Sequence, residues 1–154
     1  MMKKIILLAI VITGLLSCSK DDGQINTKMS ALIDNVTWNS ITRITVLRDG
    51  KFNIVGTSID GKIIDISVFG NTPGTYSISA SEVKFAGLYK ESASASTDDI
   101  FVATSGEVVL TEVNTSAKEI SGTFNMVLRR SLTGATVSIS NGTFTKLKYT
   151  EGEQ

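Results

Sequence analysis

From Met29 to the end of the chain, apolar and polar residues alternate with period two, and turn-forming residues interrupt the alternation at short intervals. Successive side chains of a strand point to opposite faces, so the pattern describes half-buried β-strands; no stretch stands out as helical. Asp34-Asn35, Asp49-Gly50 and Asp60-Gly61 mark the first breaks. Asn, Asp and above all Gly tolerate the positive φ that a two-residue hairpin turn demands. Strands are therefore expected over 30–33, 36–38, 41–48, 51–58 and 62–69, the last three joined as a meander that ends at Asn71-Thr72-Pro73-Gly74. In that meander Ile44 and Val46, Phe52 and Ile54, and Ile64, Ile66 and Val68 are expected to share the core face. Ile63, Asp65, Ser67 and Phe69 fall on the opposite, wetter face, as antiparallel sheets commonly have.

The rest of the chain repeats this grammar, with strands expected over 75–79, 82–90, 100–104, 107–112, 120–129, 135–140 and 143–149. Val83, Phe85 and Tyr89 share one parity, and Gly87 between the last two reads as a bulge or bend. Residues 91–99 are too small and polar to pack a core and read as a loop. Ile120, Phe124, Met126 and Leu128 line one side of the clearest amphipathic strand, with Ser121, Thr123, Asn125 and Arg129 mainly on the other. Asn114-Thr115-Ser116 reads as a turn, and Asn141-Gly142 as the turn of a terminal hairpin. The sum is about ten strands in an all-β fold, either an antiparallel β-sandwich or a small closed barrel.

The start of the chain is of another kind. Met1-Met2-Lys3-Lys4 is basic, residues 5–16 form an apolar run, and Leu15-Leu16-Ser17-Cys18 ends it with the only cysteine in the sequence. The run is too short to cross a membrane, which takes roughly 20 apolar residues. It resembles the type II signal peptide of bacterial lipoproteins, with Leu15, Leu16, Ser17 and Cys18 as the lipobox. The resemblance implies that residues 1–17 are removed and that the Cys18 thiol takes a diacylglycerol. Two or three acyl chains, at about 0.8 kcal/mol for each buried methylene, hold a small domain stably on a bilayer. The expected organisation is a signal peptide over 1–17, an acylated tether over 18–28, one all-β domain over 29–150 and an acidic tail over 151–154. A lone thiol leaves no disulfide to form, so the domain depends on packing and on its backbone ladder.

Ser19-Lys20-Asp21-Asp22 resembles the short acidic export signal that sends lipoproteins of the Bacteroidota to the outer face of the outer membrane. A solvated linker is the plainer reading of the same residues. With 15 basic and 15 acidic side chains overall, loss of Lys3 and Lys4 leaves the mature chain slightly acidic, so it carries no field for a nucleic acid. The partners expected are the membrane, through acyl chains on Cys18, and a glycan or protein ligand; no cofactor is called for.

Gly74-Thr75-Tyr76, Gly122-Thr123-Phe124 and Gly142-Thr143-Phe144 recur at unequal spacing, which excludes a solenoid or propeller. Each reads as a glycine that ends a turn before a threonine and an aromatic open a strand. Together with residues 31–38, Ala-Leu-Ile-Asp-Asn-Val-Thr-Trp, they resemble the β-rich lipoproteins of uncharacterised function found in the Bacteroidota. That resemblance spans most of the mature chain and implies lineage and fold; it transfers no catalytic or binding residue.

Function is narrowed by subtraction. The sequence has no histidine, so serine–histidine and cysteine–histidine nucleophilic machinery is excluded. Asp65, Glu107, Glu112 and Glu119 lie in or beside strands, but a carboxylate-only hydrolase needs two of them facing each other at a defined separation. Outward-facing strand charge that discourages edge pairing is the simpler reading. Glu91, Asp98 and Asp99 crowd oxygen ligands without the Asp-x-Asp-x-Asp-Gly spacing of a dedicated calcium loop. Trp38, Tyr76 and Tyr89 offer flat faces to a sugar, although strand aromatics are usually core, and Arg129 and Arg130 point to opposite sides of one strand. Asn35, Asn114 and Asn141 begin glycosylation-type triplets that read more simply as turns. The expectation is a membrane-anchored, non-catalytic binding or structural module on the cell surface. A barrel that carries an apolar ligand is the alternative, and a carboxylate hydrolase the last.

Overall fold

The computed structural model describes residues 28–152. Ten strands follow in order: β1 Met29–Ile33, β2 Val36–Arg48, β3 Lys51–Ser58, β4 Ile63–Val68, β5 Gly74–Ile78, β6 Phe85–Lys90, β7 Phe101–Asn114, β8 Glu119–Arg130, β9 Thr136–Lys148 and β10 Thr150–Glu151. The only helical turn among the described residues is a 3₁₀ turn at Thr97–Asp99. Strands β1, β2, β3, β4, β6, β7, β8 and β9 pair in that sequence, all antiparallel, and β9 pairs back with β1. The result is a closed eight-stranded up-and-down barrel, so of the two architectures the alternation allows, closure is the one adopted. Two strands lie off the ring: β5 pairs with the middle of β7, from Gly106 to Leu110, and β10 runs parallel to β2.

The first turns form where the residue types demand them. Asp34 and Asn35 have φ of 47° and 65°, and Asp49 and Gly50 have 50° and 70°, as two-residue hairpin turns with the primed geometry require. At Asp60-Gly61 the glycine alone is left-handed, with a φ of 80°. Phe52, Ile54, Ile64, Ile66 and Val68 are fully buried, which is the core face expected of the third and fourth strands.

The second strand departs from expectation. Residues 36–38 and 41–48 are one strand, and its register to β3 shifts between Ser40 and Thr42, where one extra residue is accommodated. A bulge reverses parity. Before it Trp38 and Ser40 point inward; after it Thr45 does, opposite Ile54, while Ile44 is 63% exposed and Val46 is only half-buried. The expected inward placement of Ile44 and Val46 is therefore wrong for a local reason.

The same device shapes β7 and β9. The two segments expected over 100–104 and 107–112 are one strand, β7, which starts at Phe101, with register shifts between Ala103 and Ser105 and between Leu110 and Glu112. Asn141-Gly142 is not a turn: β9 runs straight through it, with bulges around Asn141 and Lys146, both left-handed. Across them the inward set passes from Val137 and Ile139 to Gly142 and Phe144 and then to Leu147 and Tyr149. Bulges bend and twist a strand, and here they recur on strands that wrap the barrel.

Two of the glycine–threonine–aromatic triplets also prove to be strand interior. Gly122 pairs with Phe144, Thr123 with Thr143 and Phe124 with Gly142, so each ring lies over the glycine of the other strand. The Phe124 and Phe144 rings stack with centroids 6.3 Å apart. A Cβ on Gly122 would collide with the Val109 carbonyl and lie 2.5 Å from the Phe144 ring; one on Gly142 would lie 2.5 Å from Phe124. Gly87 is likewise no bulge, since β4 and β6 stay in register past it; its missing side chain makes room for Met126. Val83, expected beside Phe85, is 56% exposed and precedes β6. Phe52, Phe85, Phe124, Phe144, Met126 and Leu128 are among the fully buried side chains that fill the barrel interior, each contributing about 1.5–3 kcal/mol through burial.

Candidate functional site

Four connections meet at one end of the barrel: the β1–β2 turn, the β3–β4 hairpin, residues 91–100 between β6 and β7, and residues 131–135 between β8 and β9. Between the first three lies a cleft of about 500 Å³ whose walls include Asp34, Trp38, Asp60, Lys62, Tyr89 and Glu91.

Its frame is hydrogen-bonded. The Asp34 backbone N–H donates to Ser138 O at 2.9 Å, and Ser138 N–H donates to Asp34 Oδ1 at 2.8 Å, which pins the β1–β2 turn to β9. In the next hairpin Ser58 N–H donates to Lys62 O at 2.9 Å and Lys62 N–H to Ser58 Oγ at 3.1 Å. The Ser58 hydroxyl donates to Asp60, and Lys62 Nζ lies 2.7 Å from the same carboxylate. Lys62 and Ser58 together hold the Asp60 carboxyl down at about 2 against an ordinary 3.8, and Asp60 in turn pushes the Lys62 ammonium up. Trp38 Nε1 donates to Lys62 O at 3.2 Å, so the indole ties β2 to the hairpin with its ring in the core.

Tyr89 comes from β6. It is 3% exposed, and its burial raises the phenol above its usual range; Lys62 opposes the shift, while Glu91, Asp60 and Asp34 add to it. The phenol therefore stays neutral, and none of the described residues hydrogen-bonds its hydroxyl, the polar end of a side chain that lines the cleft.

Beyond Tyr89 the ring of Phe101 sits 5.8 Å away, and the Arg130 guanidinium lies 4.3 Å from the Phe101 centroid. Arg130 Nη2 is 2.9 Å from Glu91 and Nη1 3.8 Å from Asp99. Adjacent arginines do separate across the strand: Arg130 turns toward the mouth, Arg129 is exposed. The acidic loop residues considered as calcium ligands thus have a cation already between two of them, and no group of three metal-ligating side chains gathers among the described residues.

Of the three aromatics weighed as a sugar platform, the structure brings Trp38 and Tyr89 together. Tyr76 lies elsewhere, its ring over Gly70 and its hydroxyl donating to Thr72 O at 2.7 Å. The four strand carboxylates do not converge on the cleft. Asp65 is half-buried on the outer face, raised by that burial and only partly relieved by Asn53 Nδ2 at 2.7 Å and by Lys90. Glu107 accepts from Asn125 at 3.3 Å, and Glu119 pairs with Lys148 at 3.2 Å. Glu112 is exposed on β7, opposite Ser121. Asn35 is a turn residue, Asn114 Oδ1 accepts from Ala117 N–H in a turn, and Asn141 is a bulge.

Sequence reasoning missed Ser58, Lys62 and Asp34 as parts of one site. The signal available was Ser58-x-Asp60-x-Lys62, three polar residues alternating across a hairpin whose backbone needs them as caps. The lipobox residues Leu15, Leu16, Ser17 and Cys18 and the tract Ser19, Lys20, Asp21 and Asp22 lie outside the described residues. No helix among the described residues is long and apolar enough to cross a membrane.

No curated protein and no solved structure matches the chain. Residues 26–148 match the family described as "Domain of unknown function (DUF6252)", and the chain belongs to that family.

Proposed function

We propose that this chain is an acyl-anchored lipoprotein of the outer membrane that displays its barrel on the cell exterior as a non-catalytic binding module, with the cleft beside Trp38 and Tyr89 as its binding site. The observation that carries the reading is the position of that cleft. Strand β1 runs from Met29 to Ile33 and delivers the chain to the Asp34 turn, so the cleft lies about 17 Å along β1 from the point where Lys28 leads back toward Cys18. An anchor at Cys18 holds one end of the barrel near the bilayer and leaves the cleft at the other. Exposed Thr123, Asn125, Thr143 and Lys146 on the outer faces of β8 and β9 suit a domain standing in water.

A filled interior supports a module that binds at its rim over a carrier that holds an apolar ligand in its lumen. The absence of histidine from the sequence, and strand carboxylates Asp65, Glu107, Glu112 and Glu119 that stand apart from one another and away from the cleft, support binding over hydrolysis. Protease treatment of intact cells tests the placement. The tagged wild type is expected to be digested and a variant with Asp21→Ala and Asp22→Ala protected; protection of both overturns the surface reading. Cys18→Ala is expected to abolish acylation, and a lipidated product from that variant overturns the anchor.

A further inference from the structure

The cleft carries more than a location. Its charged lining is three carboxylates, Asp34, Asp60 and Glu91, against one ammonium, Lys62. The ammonium is spent on Asp60 at 2.7 Å, and Glu91 meets Arg130 from outside the cleft. Asp34 uses one oxygen for Ser138 N–H and leaves the other without a partner among the described residues. At the floor stands a second, independent feature, the Tyr89 hydroxyl, on a side chain 3% exposed and unpartnered among the described residues. A neutral phenol both donates through its O–H and accepts on its oxygen, and in a field of carboxylates the most favourable donor to that oxygen is a cation. The lip is apolar, with Val36 64% and Ile59 86% exposed. The aromatic rings themselves are too deeply buried to offer a face for stacking on a sugar.

We infer that the cleft binds an alkylammonium group, either a free amine or the lysine side chain of a partner protein, with its ammonium directed to the Tyr89 hydroxyl and the Asp34 carboxylate and its methylene stem along Val36 and Ile59. This rests on the cleft being the binding site proposed above. Lys62 is then a competitor built into the site, because it neutralises the Asp60 carboxylate that a ligand would otherwise use.

Calorimetric titration of the full-length protein in detergent tests this with four probes: 1,5-diaminopentane, N-acetyl-lysine methylamide, its neutral analogue N-acetyl-norleucine methylamide, and a neutral disaccharide. Binding of either ammonium probe but not of norleucine is expected, and which of the two binds tells a free amine from a lysine side chain. Asp34→Asn keeps the acceptor for Ser138 and is expected to weaken the ammonium probe about tenfold, the loss of one charge-assisted hydrogen bond. Lys62→Met is expected to tighten it, a gain that a damaged fold would not produce. Equal binding of the norleucine probe, or no binding of any probe in wild type and Lys62→Met alike, overturns the inference. Binding of the disaccharide alone, lost in Tyr89→Phe, overturns it while leaving the cleft as the binding site. Ammonium binding that is unchanged in both Tyr89→Phe and Asp34→Asn removes the cleft itself.

Discussion

The β1–β4 half of the barrel and the β7–β9 half are built from the same vocabulary of alternating strands and glycine-containing pairs, yet they use it differently. In the first half Asp34-Asn35 and Asp49-Gly50 reverse the chain. In the second, Asn141-Gly142 has the same residue types and a left-handed asparagine at a φ of 49°, and the strand continues through it. The difference lies across the sheet. Gly50 has nothing within 4 Å of where a Cβ would stand, whereas Gly142 lies under Phe124 and Gly122 under Phe144. A positive φ next to a glycine can thus end a hairpin or insert a bulge. The decision belongs to the facing strand, which either continues the ladder or does not.

That contrast predicts unequal costs for equal substitutions. Gly122→Val is the severest, because the side chain meets a backbone carbonyl and a buried ring, neither of which can give way. A loss of about 3–4 kcal/mol is expected. For a domain whose total stability is of order 5–15 kcal/mol that is a large share, visible in the urea midpoint. A midpoint close to wild type would show that the reciprocal packing of Gly122 and Phe144 is dispensable and that the two halves do not differ in this way. Gly61→Val tests the turn side of the comparison. Gly61 has a φ of 80° and its nearest would-be neighbour, Ala93 N, is 3.9 Å away, so only backbone strain is at issue. The expected cost is about 1–2 kcal/mol. A cost equal to that of Gly122→Val would dissolve the distinction between turn and strand glycines.

Legibility follows the same line. The meander, its turns and the inward sets of β3 and β4 could be read because each rests on neighbours within one hairpin. The parity of β2 could not, since the extra residue near Ile41 changes which side faces in without changing the alternation on either side of it. Nor could the single strands β7 and β9, whose bulges look like breaks when read along the chain alone. The cleft was legible only in pieces. Trp38 and Tyr89 stood out as aromatics, but Lys62 and Asp34 read as hairpin residues, and what joins them is the pairing and curl of the sheet from β1 through β6, which brings together positions far apart in sequence.

The smallest expected effects lie within the first half, where two aspartates are held in opposite senses. Asp65 on the outer face of β4 is raised by burial, with Asn53 and Lys90 compensating in part. Asp60 in the hairpin is lowered to about 2 by Lys62 and then by Ser58. A carboxyl whose folded pKa lies above its unfolded value disfavours the fold once ionised, so Asp65→Asn is expected to stabilise at pH 7. That gain should shrink as pH falls through the raised folded value and vanish below the unfolded value of 3.8. Asp60 has the other sign: its contribution is present above 3.8 and is lost as pH falls through about 2. Asp60→Asn should therefore destabilise slightly at pH 7 and converge on wild type only near pH 2, and the exposure of the pair to solvent and salt keeps the effect small. Thermal melts of both variants at pH 7, 4 and 2 check the signs together. If Asp65→Asn destabilises at pH 7, the carboxylate's bond to Asn53 outweighs its desolvation, and the outer face of β4 is held by that polar pair rather than strained by it.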